Sequence, residues 1–164
     1  MNGDVQHISA EALAGYELKQ ITPAQFDELE KWMLAQPQAE SPVTHLFAGG
    51  LYVREVKLAA GALALGHNHK ASHHCVVLKG RMTLLAANGT VTEVVAPCTF
   101  TGQPGRKLVL VHEAVVMQNV HPTGDWPAEC LNDIEAMENH LCHRSQFWNQ
   151  KRLEDSDRVE QEQQ

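Results

Sequence analysis

The sequence has no apolar run approaching the roughly 20 residues that cross a bilayer, so no membrane partner is expected. Its first residues, Met1-Asn-Gly-Asp-Val-Gln, lack the basic segment followed by an apolar stretch that marks a secretory signal. A cytoplasmic, non-secreted protein is therefore the expectation. Basic residues are in deficit: 13 Lys and Arg against 20 Asp and Glu give a formal net charge of −7, with the cations scattered. That pattern excludes a nucleic-acid partner, whose phosphates need a basic stripe. Cysteine is sparse and unpaired. Cys75, Cys98, Cys130 and Cys142 show no Cys-x2-Cys spacing, so they read as reduced thiols rather than as a disulfide framework. The cluster Cys130, His140, Cys142, His143 lacks the form of a closed zinc site for the same reason. Neither an internal repeat nor a βαβ alternation is visible.

What is present is an ordinary globular composition, 43% apolar and 20% charged over 164 residues, enough for one folded core. Thr22-Pro23-Ala24-Gln25 has the form of a capping box with proline at the first helical position. Phe26, Leu29, Trp32 and Met33 follow at helical spacing, predicting a helix over 23–35. Pro37 and Pro42 bound a linker. From Leu51 to His121 short runs rich in Val, Leu and Thr alternate with Gly, Pro and Asn88-Gly89, predicting antiparallel strands near 51–57, 61–66, 74–79, 81–86, 91–95, 107–112 and 115–121. Beyond His121-Pro122, Leu131 to Leu141 returns to helical spacing, and the polar stretch from Arg152 reads as a frayed helix or disordered tail. The expected division is an N-terminal helical extension (1–42), a β-barrel (43–123), and a C-terminal helix with a polar tail (124–164).

Histidine is the residue in excess. There are 10 in the chain, and His67, His69 and His73 share one strand parity, so their imidazoles can converge. Imidazole suits Zn, Cu, Fe and Ni, and three nitrogens with an open position are a common plan for a catalytic metal. His74 has the opposite parity and reads as surface. The bland reading is a set of solvated or hydrogen-bonded histidines with no metal. Cys75 shares the parity of His73 but is better read as packing. Arg54-Glu55 and Arg106-Lys107 read as a charged rim, with recognition of an anionic ligand as the sharper alternative. Trp32, Trp126 and Trp148 lie outside the strands and read as staples for the extensions.

The stretch from Gly61 to Gly80 resembles the first cupin motif, Gly-x5-His-x-His-x3-Glu-x6-Gly. Gly61, His67, His69 and Gly80 are in register, and His73 stands where the motif has glutamate. The second cupin motif is degraded: Gln103-Pro104-Gly105 is present, but Leu108 and His112 occupy the positions of its histidine and asparagine. From His45 to Thr123 the order of short motifs is also similar to small cupin-like proteins encoded by tailed bacteriophages, which would place the chain in the host cytoplasm.

The resemblance implies an all-β fold, a single small cupin-like (double-stranded β-helix or jelly-roll) barrel with flanking N- and C-terminal helices. It implies a divalent metal ion (Fe, Zn, Ni or Mn) on His67, His69 and His73; strand parity, which groups His121 with Asn119 and Met117 and His112 with Leu108, offers His121 as the fourth ligand and His112 as the alternate. Exchanging glutamate for a neutral imidazole favours borderline metals over hard ones. The expected function is metal binding with oxygenase or Lewis-acid chemistry on a small molecule. The alternative is a non-catalytic phage accessory module that binds a ligand in the barrel or self-associates as a dimer.

Overall fold

The structure is a computed structural model, and it describes residues 21–162. The first 20 residues of the expected N-terminal extension and residues 163–164 lie outside the described residues. Helix α1 spans Pro23–Leu34, and the expected capping box closes it. The Thr22 hydroxyl accepts from the Gln25 amide at 3.3 Å, and the Gln25 side chain accepts from the Thr22 amide at 2.9 Å. The helix buries Phe26 and Glu30 and leaves Trp32 57% exposed, so Trp32 is not a staple.

Among the described residues nine strands follow in chain order: β1 Val43–Ala48, β2 Leu51–Leu58, β3 Leu63–Leu65, β4 Asn68–His69, β5 His73–Ala86, β6 Val91–Val95, β7 Cys98–Gly102, β8 Lys107–Pro122 and β9 Cys142–His143. A 3-10 turn at Ala128–Leu131, helix α2 (Ile134–Leu141) and helix α3 (Gln146–Glu162) complete the fold. Two pairs of predicted strands are single long strands here. β5 runs through Gly80, whose φ of 91° and contact with the Ala114 carbonyl admit no side chain. The register slips between Val77 and Met82 instead of ending.

The two long strands organise everything else. The first half of β5 and the second half of β8 pair with each other and with β7 and β2, to which β1 adds an edge. Their other halves pair with each other and with β6 and β3. Val56 and Leu58 from β2, Val77 and Met82 from β5, Val94 from β6, and Val111 and Val115 from β8 form one buried cluster drawn from both half-sheets. Each such side chain contributes about 1.5–3 kcal/mol on burial. The strand order β1-β2-β8-β5-β6 is open at both ends among the described residues, so the expected barrel is not closed by hydrogen bonds. β5 and β8 run through both halves, with the β5 register shifts between them, and the shared buried cluster packs the two half-sheets together.

The C-terminal segment is fastened at the opposite end of β2. Tyr52, Cys130 and Met137 form a second buried cluster with Trp126 and Leu141 against them, and β9 pairs with β4, His69 opposite Cys142. Helix α3 keeps the polar stretch from Arg152 helical to Glu162. The N-terminal helix is pinned by Arg106, which donates to Glu30 at 2.8 Å while Asp27 lies at 3.6 Å. No described helix is long and apolar enough to cross a membrane.

Candidate metal centre

Strand alternation decides which histidines meet. Along β5, His73, Cys75 and Val77 are buried while His74 is exposed. Along β8, Val115, Asn119 and His121 are buried. The pairing of His74 with Val120 and of Tyr52 with His121 sets His73 and His121 side by side on the inner face. His69 arrives from β4, which is held on one side by β9 and on the other by Gly105: the His69 N–H donates to the Gly105 carbonyl at 3.3 Å, and the His69 carbonyl accepts from the Gly105 N–H at 2.9 Å. The ring centroids of His69 and His73 are 4.3 Å apart, and those of His73 and His121 are 4.9 Å apart. One nitrogen from each of the three lies within 4.8 Å of the others, and among the described residues no other group of three metal-capable side chains converges in this way.

The surroundings keep these rings neutral. Burial pushes His69 down to about 3, and the charges of His73, Lys107, His121 and Arg54 add to it. Burial, then His73 and Arg54, takes His121 down to about 4. Burial also lowers His73, against a contact from its Nδ1 to the Ala71 carbonyl at 3.4 Å that works the other way. Among the described residues no carboxylate raises any of the three. A buried set of neutral imidazoles with available lone pairs, and no acid to protonate or neutralise them, fits a borderline divalent metal such as Zn, Fe or Ni better than a hard oxygen-seeking one.

Two predicted ligands stand elsewhere. His67 follows the end of β3 at Leu65, so strand parity no longer governs it, and its ring meets Trp148 edge-on at 5.1 Å. His112 projects from the face of β8 opposite Val111 and bonds the Thr83 hydroxyl at 2.7 Å. The set brought together is His69, His73 and His121. Cys75 is 3% exposed, reaches the Asn119 side chain at 3.6 Å, and is pushed by burial up to about 11, so it is a neutral packed thiol. Cys130 is buried in the second cluster, and Cys142 approaches His69 Nδ1 at 3.7 Å.

Other neighbours were not legible from motif spacing. Tyr52, fully buried, hydrogen-bonds His45 Nδ1 at 2.8 Å, stacks 6.0 Å from His121, and is raised by burial to about 12. Gly102 lies opposite His73, and a Cβ there would sit 2.5 Å from His73 Nε2. The alternation Tyr52, Arg54, Val56 along β2 was the available signal for an inward Arg54. A cavity of about 150 Å³ opens beside His121, lined also by Lys70, Ser72, Trp126 and His140. A larger one of about 500 Å³, between Lys57, Leu58, Lys79 and Val115, has no histidine or cysteine in its wall.

No protein-family model matches the chain, and no curated protein sequence matches it. Solved structures similar to it include an HTH_3 family transcriptional regulator from Vibrio cholerae, 19% identical with a TM-score of 0.42 over 49% of this chain. The match spans about half of that regulator, 49% of its length. A Cupin_2 domain of an XRE family transcriptional regulator from Enterobacter cloacae is 18% identical with a TM-score of 0.41, covering 49% of this chain and 93% of that one. A cupin-2 domain protein from Shewanella frigidimarina is 10% identical with a TM-score of 0.40, covering 58% of this chain and 91% of that one.

Proposed function

We propose that the protein is a cupin-like metal-binding protein that holds one divalent transition metal at His69, His73 and His121. The observation that carries this reading is the convergence of those three neutral, half-buried to buried side chains with no carboxylate among them. The register of Gly61, His69 and Gly80 with the first cupin motif, with His73 at its glutamate position, supports it from the sequence side. When bound, the metal would supply Lewis acidity or redox chemistry beside the 150 Å³ cavity. The chain's own part is to hold the imidazoles neutral, to shield them behind Trp126 and Tyr52, and to leave room for a small ligand at His121. Zinc(II) added to chelated protein raises the thermal midpoint of the wild type and not that of His121→Ala. Equal shifts in both proteins remove the proposal.

A non-catalytic, self-associating module is the second reading, favoured by the edge strand β1. There Val43, Leu46 and Phe47 are exposed beside an open backbone edge. Light scattering on Leu46→Lys/Phe47→Lys separates the two readings. Loss of a dimer with unchanged metal uptake supports self-association independent of the metal, and a monomeric wild type excludes it.

A further inference from the structure

Arg54 is an inward-facing cation for which the metal site alone has no use. It lies on β2 between Tyr52 and Val56, which are both buried, and alternation puts it on their face. Register sets Tyr52 beside His121, Arg54 beside Asn119, and Asn119 beside Cys75, two positions along β5 from His73. Arg54 is half-buried. Among the described residues its guanidinium makes neither a hydrogen bond nor an ion pair. The other sequestered arginines have carboxylates beside them, Glu30 and Asp27 at Arg106, and Glu138 and Glu135 at Arg144, although among the described residues Arg144 Nε and Nη1 make no hydrogen bond. Glu55, next in sequence, accepts instead from the Gln118 side chain at 2.9 Å.

Charge sharpens the point. Arg54 acts on His69, His121 and Tyr52, Lys107 acts on His69 and His73, and among the described residues no carboxylate opposes them at the three histidines. A divalent ion on three neutral imidazoles adds positive charge to a surrounding that is already positive and partly desolvated. Such an excess is costly until an anion enters. A guanidinium presents a planar fork of donors that matches the two oxygens of a carboxylate.

We propose that the ligand of this site is a small carboxylate, gripped by the Arg54 guanidinium on the face that carries His69, His73 and His121. The cavity of about 150 Å³ beside His121 is walled by Lys70, Ser72, Trp126 and His140 and not by Arg54, so the carboxylate is assigned to the face shared by Arg54 and the histidines rather than to that cavity. The inference rests on the metal reading above, and the test separates the two.

Full-length protein loaded with cobalt(II) is titrated with pyruvate, with acetone as the neutral counterpart, and with inorganic phosphate, following the visible cobalt spectrum. Pyruvate is expected to shift the spectrum saturably and acetone to leave it unchanged. Arg54→Gln should bind cobalt at least as tightly as the wild type, because a cation is removed, yet weaken pyruvate by about tenfold or more. Arg54→Lys should fall between. Equal pyruvate affinity in wild type and Arg54→Gln overturns the proposal, as does equal binding of acetone or tighter binding of phosphate. Failure of the wild type to take up cobalt counts against the metal reading instead. The carboxylate is then judged on metal-free protein, where pyruvate must raise the thermal midpoint of the wild type more than that of Arg54→Gln. An equal response there also overturns it.

Discussion

Replacing Gly102 with alanine should weaken metal binding without unfolding the protein. Gly102 ends β7 opposite His73, and its φ is not positive, so backbone conformation does not demand glycine there. Space does. An added Cβ would lie 2.5 Å from His73 Nε2, 2.8 Å from its Cε1 and 2.9 Å from the Cys75 sulfur. Restoring an ordinary 3.4 Å contact to Nε2 needs a shift of 3.4 − 2.5, about 0.9 Å, well beyond the roughly 0.5 Å to which a working constellation must be held. Overpacking of this kind costs about 1–3 kcal/mol. For a chain of this length that is a fall of roughly 2–12 °C in the midpoint of thermal unfolding. Zinc(II) affinity, read by competition with a chromophoric chelator, should fall by about 100-fold, at the upper end of what a displaced ligand support costs. Gly124→Ala, where nothing lies within 4 Å, is the control and should leave affinity and midpoint alone. A Gly102→Ala protein that loses the expected stability but binds zinc as the wild type does would show that His73 is not a ligand.

Acidification should destabilise the chelated protein. His69 and His121 titrate at about 3 and about 4 in the folded state against about 6.5 unfolded, so the unfolded chain binds more protons below pH 6.5. Stability is complete above that pH and is lost as the pH falls toward 4. At pH 5 the two rings together cost about 2 kcal/mol after halving for residual solvent, and a urea midpoint that is flat between pH 7.5 and 5 contradicts this. His67→Ala should leave zinc affinity unchanged, since its ring packs on Trp148 outside the cluster, while lowering stability by about 1 kcal/mol. A lost site in that variant would return His67 to the ligand set. Glu30→Ala strips the main partner from Arg106, whose side chain is 12% exposed. It should cost about 2 kcal/mol in urea unfolding, less than a fully orphaned buried pair because Asp27 remains at 3.6 Å. A cost below about 0.5 kcal/mol would put the helix clamp in doubt.

Much of the site was readable because strands alternate. Parity alone grouped His73 with Cys75, and His121 with Asn119 and Met117, and the structure buries His73 and His121 side by side. The same rule failed for His67, where the chain has left β3 before reaching it. It also failed to choose against His112, because Val111 next to it takes the inner position. Strand number was misjudged at Gly80: a glycine that usually signals a turn here lets β5 pass against Ala114 with a slipped register. The short pairing of β4 with β9 brings residues 73 positions apart into contact, His69 with Cys142, and no local pattern encodes a contact of that range. The capping box at Thr22 lay at the other extreme, encoded within four residues and found where expected.

Metal analysis of protein purified without an affinity tag tests the central claim most directly, comparing the wild type with a His69→Ala/His73→Ala variant whose strand content is verified by circular dichroism. The account predicts about one transition-metal ion per wild-type chain and almost none in the folded variant. Equal metal content in the two proteins would contradict it.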